Sequence, residues 1–269
     1  MRRTAVLLLV ALLLAALPSS AGGAPARLLF DAETDCFEAV PAAADPGLDR
    51  RAVRLDLHVL VDGASDATAR SAVAAARRAY GPLGIDLRAT YQRVRLPADG
   101  RASTYGRPMF TASTDAAMAA AKRAVPHGRP PRGAELVYLL TNKDLYVRDV
   151  DGGRSYGVAG MADCIGGVLD PHRAFAVGES FEPAPLDVAG LAFAREQAAK
   201  VLAHELGHLL GAHHHYANCG EAVPAAAAER TTDACTLMFN DVGLVSLRFS
   251  TVNLAVVRGH ALAAVPPGR

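Results

Sequence analysis

The chain lacks an excess of charge of either sign: 28 Lys and Arg stand against 27 Asp and Glu, a net of +1 over 269 residues. Acids and bases are interleaved, which argues against a nucleic-acid footprint or a basic membrane patch. Internal repeats are missing. Long apolar runs are missing too. The longest, Ala5 to Leu17, has 13 residues, well short of the roughly 20 that span a bilayer. It follows Met1-Arg2-Arg3 and precedes Pro18-Ser19-Ser20-Ala21-Gly22, which reads as a secretory signal over residues 1–26. No cysteine lies near the cleavage region, which argues against lipoprotein attachment. The sequence therefore predicts a secreted or periplasmic protein with no membrane association after cleavage. Lysine is scarce beside arginine, a compositional habit without functional content.

Cysteine is scarce as well, with four residues, Cys36, Cys164, Cys219 and Cys235. An even count in an exported chain suggests two disulfides, for which three pairings exist. Cys219 and Cys235 bracket one loop, which favours that pair and leaves Cys36 with Cys164. The rival reading makes the Cys36 thiolate a metal ligand brought in by an N-terminal segment.

The mature chain of about 245 residues is long enough for one domain with a substantial core. Residues 27–50 are rich in Ala, Pro and Asp and read as irregular. From Val53 to Val61 apolar residues alternate, predicting a strand; Asp66 to Tyr80 predicts a helix, and Ile85 to Tyr91 a second strand. This β-α-β unit is expected to cross over right-handedly. Residues 92–133 read as an insertion with one short helix within 114–125. Glu135 to Thr141 predicts a buried strand, and Asn142 to Tyr156 a polar loop. That loop holds Asp149 and Asp151, so a calcium site is conceivable there, with a plain acidic turn as the alternative. Gly157, Val158, Ala159, Gly160, Met161 and Ala162 predict a short edge strand, and Ala174 to Val177 another strand. A long helix is expected from an Asp187 N-cap to Leu210, and a last one after Ser250, within 247–264.

What the long helix carries is distinctive: His204-Glu205-Leu206-Gly207-His208-Leu209-Leu210-Gly211-Ala212-His213-His214, which is H-E-x-x-H-x-x-G-x-x-H without a mismatch. His204 and His208 share one helix face and can grip one ion. Gly211 is suited to the positive φ that ends the helix, and the turn brings His214 back as third ligand, with His213 and His215 as competing candidates. Three neutral imidazoles leave a zinc ion dicationic with one position for water, the arrangement of a catalytic site. Glu205 is placed to take a proton from that water and hand it to a leaving amine. The expected reaction class is metal-assisted hydrolysis of an acyl bond, with a peptide as the expected substrate.

This frame resembles the zinc signature of the metzincin metallopeptidases, and within them the reprolysin (adamalysin) group and its bacterial relatives. The resemblance implies a structural methionine turn below the metal, for which Met238 in Cys235-Thr236-Leu237-Met238-Phe239 is the candidate. Cys235 and the Phe249-Ser250 pair support the placement. The implied fold is α/β (α+β): a twisted mixed sheet with a long zinc-binding helix in an upper subdomain, about 51–211, and a smaller, mostly irregular lower subdomain, about 212–269, ending in a helix. Extended substrate would pair with the edge strand at Gly157–Ala162. His215 departs from the family, which usually has Asp there. The stretch from His214 to Met238 is longer than usual, and Asn240 stands where a tyrosine ligand would. The sequence thus predicts a secreted zinc endopeptidase acting on protein or peptide. The alternatives are a catalytically silent zinc-dependent binding protein and a zinc hydrolase of a non-peptide amide. Nothing in the sequence signals an oligomeric state.

Overall fold

Two strands buried on both faces, Leu136–Thr141 and Phe175–Glu179, run side by side at the centre of the main sheet, and strands that alternate apolar with polar residues flank them. The computed structural model of the chain describes residue 36 and residues 51–104, 107–182, 188–214, 236–239 and 246–265, all within the unit Thr34–Arg269. The central sheet has the order β2-β1-β5-β9-β8, with β1 Val53–Asp62, β2 Ile85–Arg93, β5 Leu136–Thr141, β9 Phe175–Glu179 and β8 Gly160–Ala162. The first four are mutually parallel; β8 runs antiparallel to β9 and forms one edge. Strand periodicity explains the two cores. Leu55, Leu57, Val59, Leu136, Tyr138 and Leu140 face one core, while Leu60, Val137, Leu139, Phe175 and Val177 face the other. Strands buried on both faces read as continuous apolar runs, as β5 does.

The first core is covered by α1 (Asp66–Tyr80), by the long helix α3 (Val188–Leu209) and by α4 (Thr251–Ala264). Helix α1 starts at Ser65, whose side chain accepts from the Thr68 N–H, a cap that satisfies an otherwise orphaned donor. Glu182, just past β9, accepts from the Ser65 N–H at 2.6 Å and the Ser65 hydroxyl at 2.7 Å. A carboxylate at a helix N-terminus is favourably placed, and this one ties the approach to α3 onto α1. The Tyr80 hydroxyl donates to the Ala203 carbonyl at 2.8 Å, joining the end of α1 to the middle of α3. The second core lies under α2 (Thr114–Arg123).

Three expectations need correction. Residues 92–133 hold more than an insertion with one helix, and 142–156 is not a polar loop. They form a second sheet of order β3-β4-β6-β7, built from Gly100–Thr104, Arg107–Ser113, Asp144–Arg148 and Arg154–Tyr156. Its strands are short, and β4 pairs with β6 across a long stretch of chain, Thr111 opposite Asp144; strands of a few residues complete too few alternations to leave a period, and a distant partner leaves none. The predicted edge strand is narrower than Gly157–Ala162: Gly157, Val158 and Ala159 lie outside β8, and only the Ala159 carbonyl joins the sheet, accepting from Glu179 N–H at 2.8 Å. Gly157 has a φ of +100°, which takes the chain out of extended geometry. The expected Asp187 cap, His215 and the pair Cys219 and Cys235 lie outside the described residues.

Candidate metal centre

Helix α3 is rich in the good helix formers Ala, Leu, Glu, Gln, Arg and Lys, and it ends at Gly211. The Gly211 N–H bonds the His208 carbonyl at 2.8 Å and the Ala212 N–H bonds the Gly207 carbonyl at 2.9 Å. With Gly211 at φ +85°, this is the paired closure in which a left-handed residue stops a helix. The chain turns back and delivers His214 to the face bearing His204 and His208.

The three imidazoles converge through Nε2. His204 Nε2 lies 3.1 Å from His208 Nε2 and 3.1 Å from His214 Nε2. Among the described residues this trio is the grouping of His, Cys, Asp and Glu whose ligand atoms could share one ion. Their protonation follows from the other ring nitrogen. His204 Nδ1 is 2.7 Å from the Leu237 carbonyl and His208 Nδ1 is 2.8 Å from the Ala212 carbonyl. A carbonyl only accepts, so both protons sit on Nδ1 and both Nε2 atoms present lone pairs. Two lone pairs facing each other at 3.1 Å cannot hydrogen-bond; a cation between them turns the repulsion into attraction. Tetrahedral ligation at about 2.0–2.1 Å places nitrogens roughly 3.3 Å apart. The donors therefore fit a zinc-sized ion. Burial, with the neighbouring His204 and His214 adding to it, holds the His208 imidazole well below the ordinary histidine range, so it is neutral and ready to ligate.

Glu205 is buried beside the trio and faces the sheet edge. A Cβ on Gly160 would lie 2.8 Å from Glu205 Oε1 and 2.6 Å from Val201 Cγ1. Opposite it in the ladder is Gly178, whose missing side chain leaves room for the Tyr138 hydroxyl and Val201. Paired glycines thus let α3 press its carboxylate against β8. Burial, and then the Glu205 charge, push the Tyr138 and Tyr80 hydroxyls well above the usual phenol range, so both stay protonated. Beneath the trio, Met238 is fully buried, and its Sδ occupies the space a Cβ on Gly207 would need, 2.5 Å away. The turn that carries Met238, Thr236–Phe239, also supplies the Leu237 carbonyl that orients His204.

The sequence reading singled out Gly211, His204, Glu205, His208, His214 and Met238, and the structure gathers all six at one place. It joins Cys36 to Cys164, the favoured pairing, with Cα atoms 5.2 Å apart and the Cys36 N–H on the Ile165 carbonyl at 3.0 Å. Cys36 is therefore no ligand of this centre. Asp149 closes a turn, its backbone paired with Gly152 and Gly153 and its carboxylate accepting from Ser155 at 2.9 Å, the acidic turn rather than a calcium cage. Missed by the sequence reading were Gly178, the carbonyls of Leu237 and Ala212, and the part of Gly160, named there only as an edge-strand residue, in making room for Glu205. Backbone acceptors leave no mark on residue identity, and a glycine spared for a neighbour looks like any other.

Residues 67–215 match the metallo-peptidase family M12B, reprolysin-like. The chain belongs to this family. The match runs from the start of α1 to just past the third histidine of the frame, so it takes in β2, β5, β8, β9, α3 and the histidine trio, while β1 precedes it. Among solved structures, the chain is similar to archaemetzincin from Methanopyrus kandleri, at 19% identity and a TM-score of 0.48 over 79% of this chain and 98% of that one. It is also similar to a zinc-dependent peptidase from Methanocorpusculum labreanum, at 16% identity and a TM-score of 0.45 over 75% of this chain and 99% of that one. No curated protein matches the chain.

Proposed function

We propose that this reprolysin-like metallopeptidase is an exported zinc endopeptidase, with His204, His208 and His214 as ligands and Glu205 as general base. The observation that carries the reading is the tautomer argument: the Nδ1 protons of His204 and His208 are committed to carbonyls, leaving Nε2 lone pairs converging beside a buried carboxylate. Zinc held there would supply Lewis acidity to a scissile carbonyl and would acidify a water. Glu205 takes the proton of the attacking water and passes it to the leaving amine. Strand β8 offers main-chain donors and acceptors to an extended peptide, and Gly160 keeps the carboxylate within reach of it. Such pairing does not need a chain terminus in the substrate, which favours internal cleavage. Met238 supports the ligand turn by packing.

Export by residues 1–26 with removal of the leader, an irregular stretch over 27–50, and upper and lower subdomains divided near residue 211 belong to the same proposal. Oxidation of Cys36 with Cys164 agrees with an exported chain, and Cys219 with Cys235 is proposed alongside. Peptides or proteins are the substrates proposed.

The test is metal content together with turnover of a mixed peptide library. The purified chain should hold about one zinc per molecule. Glu205→Gln should keep that zinc and lose turnover by on the order of 10²–10⁴-fold. Equal turnover in the variant rejects the role of Glu205. Zinc bound with no peptide cleaved favours a binding protein.

A further inference from the structure

His204 and His208 are placed by a helix, but His214 is not. It stands three residues beyond Gly211, on chain without regular hydrogen bonding, and still has to meet the other two. The contacts of this turn lead to the C-terminal helix. Asn253, in the first turn of α4, is buried at 4% exposure. Its side-chain Nδ2 donates to the His213 carbonyl at 3.0 Å. Its own N–H is held by the cap hydroxyl of Ser250 at 3.2 Å. Seven residues on, His260 is 1% exposed and fills the space where Cβ atoms on Gly211 would lie. His260 Nδ1 bonds the Val256 carbonyl at 3.0 Å, which fixes the ring. Positions 253, 257 and 260 lie on one helix face, and Val257 between them is fully buried. On its other side α4 is anchored by Arg258, which donates to the Leu83 carbonyl and, at 2.9 Å, to the Arg51 carbonyl at the foot of the central sheet. One face of α4 therefore grips the Gly211–His214 turn at both ends, and Arg258 secures the helix to the sheet.

We propose that Asn253 is a positioning residue for the third metal ligand, holding the His213–His214 peptide through a hydrogen bond from its buried side chain while His260 seats the Gly211 end of the same turn. The proposal rests on the reading of His204, His208 and His214 as the ligands. Its physical basis is that a carbonyl bonded to a buried, rigidly held donor has one orientation, and the peptide plane it belongs to sets where the His214 Cα begins. Residues that orient ligands from behind typically contribute 10–100-fold to metal affinity. Neither Asn253 nor His260 lies within the residues matched by the family, which end at 215, so this support is a property of the chain outside that segment.

The test measures zinc affinity by competition with a fluorescent chelator, and the visible spectrum of the Co²⁺-loaded protein. Asn253→Asp keeps the shape and removes the donor; Asn253→Ala removes it without adding a charge and suits a helix, which guards against loss of fold. Both should bind zinc about 10–100-fold more weakly than wild type, with an altered cobalt spectrum. The melting temperature of the metal-free protein should move less than that of the loaded protein. His260→Leu should weaken zinc in the same direction. Wild-type affinity and spectrum in a folded Asn253→Ala overturn the proposal. An equal fall in the melting temperature of metal-free and loaded protein, with affinity unchanged, overturns it in favour of a purely structural asparagine. If His214→Ala binds zinc as tightly as wild type, the ligand assignment itself has failed, an outcome distinct from either of these.

Discussion

Glycine is the residue that most rewards attention in this chain, because each one near the centre stands where a neighbour needs its space. Gly160 is the sharpest case. A methyl group there meets Glu205 Oε1 at 2.8 Å and Glu205 Cγ at 2.9 Å, distances closer than packed atoms tolerate, so the carboxylate must move. A misplacement of about 1 Å in a reacting group costs on the order of 10²-fold in rate. Gly160→Ala is therefore expected to lower kcat steeply while zinc stoichiometry stays at the wild-type value, since no histidine is touched. A loss of zinc in parallel would mean that the substitution disturbs the ligand face of α3 rather than the base alone. Glycine was legible in the sequence only where its role was conformational: Gly211 at the stop of a motif-bearing helix announces itself, whereas Gly160 and Gly178 matter through what crosses above them.

At the scale of elements, strand ends hold buried acids that the catalytic chemistry does not use. Glu179 ends β9, is 2% exposed, and accepts from the Leu145 N–H of β6 at 2.5 Å. Burial, reinforced by the Asp144 carboxylate beside it, pushes its carboxyl well above the usual carboxylate range. A raised folded-state value means that the folded protein binds the proton more tightly than the unfolded chain. The associated stability is complete below the unfolded value of 4.5 and is lost as pH rises through the folded one. Glu179→Gln keeps an acceptor for Leu145 and a donor for Asp144 without a titrating proton. It is expected to melt above wild type at pH 8, with the gap closing as pH falls towards 4.5, as thermal scans across that range would record. A gap independent of pH would show that packing and not ionisation decides the difference. The pairing of β6 with β4 and its backbone bond to Glu179 show why 142–156 reads as a loop in sequence: its strands are short, and their partners are far away along the chain.

For the whole molecule, the decisive connections are the long ones. Cys36 reaches Cys164 across a sequence separation of 128, Arg258 of the last helix holds the carbonyls of Leu83 and Arg51, and Leu237 of the methionine turn orients His204. A cross-link closing a loop of that length restricts the unfolded chain by up to about 5 kcal/mol on the chain-entropy account. Replacing Cys36 and Cys164 by serine together is expected to lower the midpoint of chemical denaturation by a corresponding margin, with zinc content retained at low denaturant. An unchanged midpoint would mean that the pair is reduced in the native protein or that the unfolded state is already compact.

The sequence by itself determined the chemistry available to this protein. His204, Glu205, His208, Gly211 and His214 are local in the chain, and helical spacing plus one glycine stop is enough to bring them together. It determined the β1-α1-β2 start and the last helix too, because burial imposes periods that composition displays. Tertiary structure alone decided how that chemistry is held. The Nδ1 partners of two histidines are carbonyls, which every residue has. The space for Glu205 is an absence on a neighbouring strand. The grip on the His214 turn comes from Asn253 on a helix 40 residues away. Interactions made by backbone atoms, by missing side chains or between distant segments leave no period and no motif, so they enter only when the chain is folded.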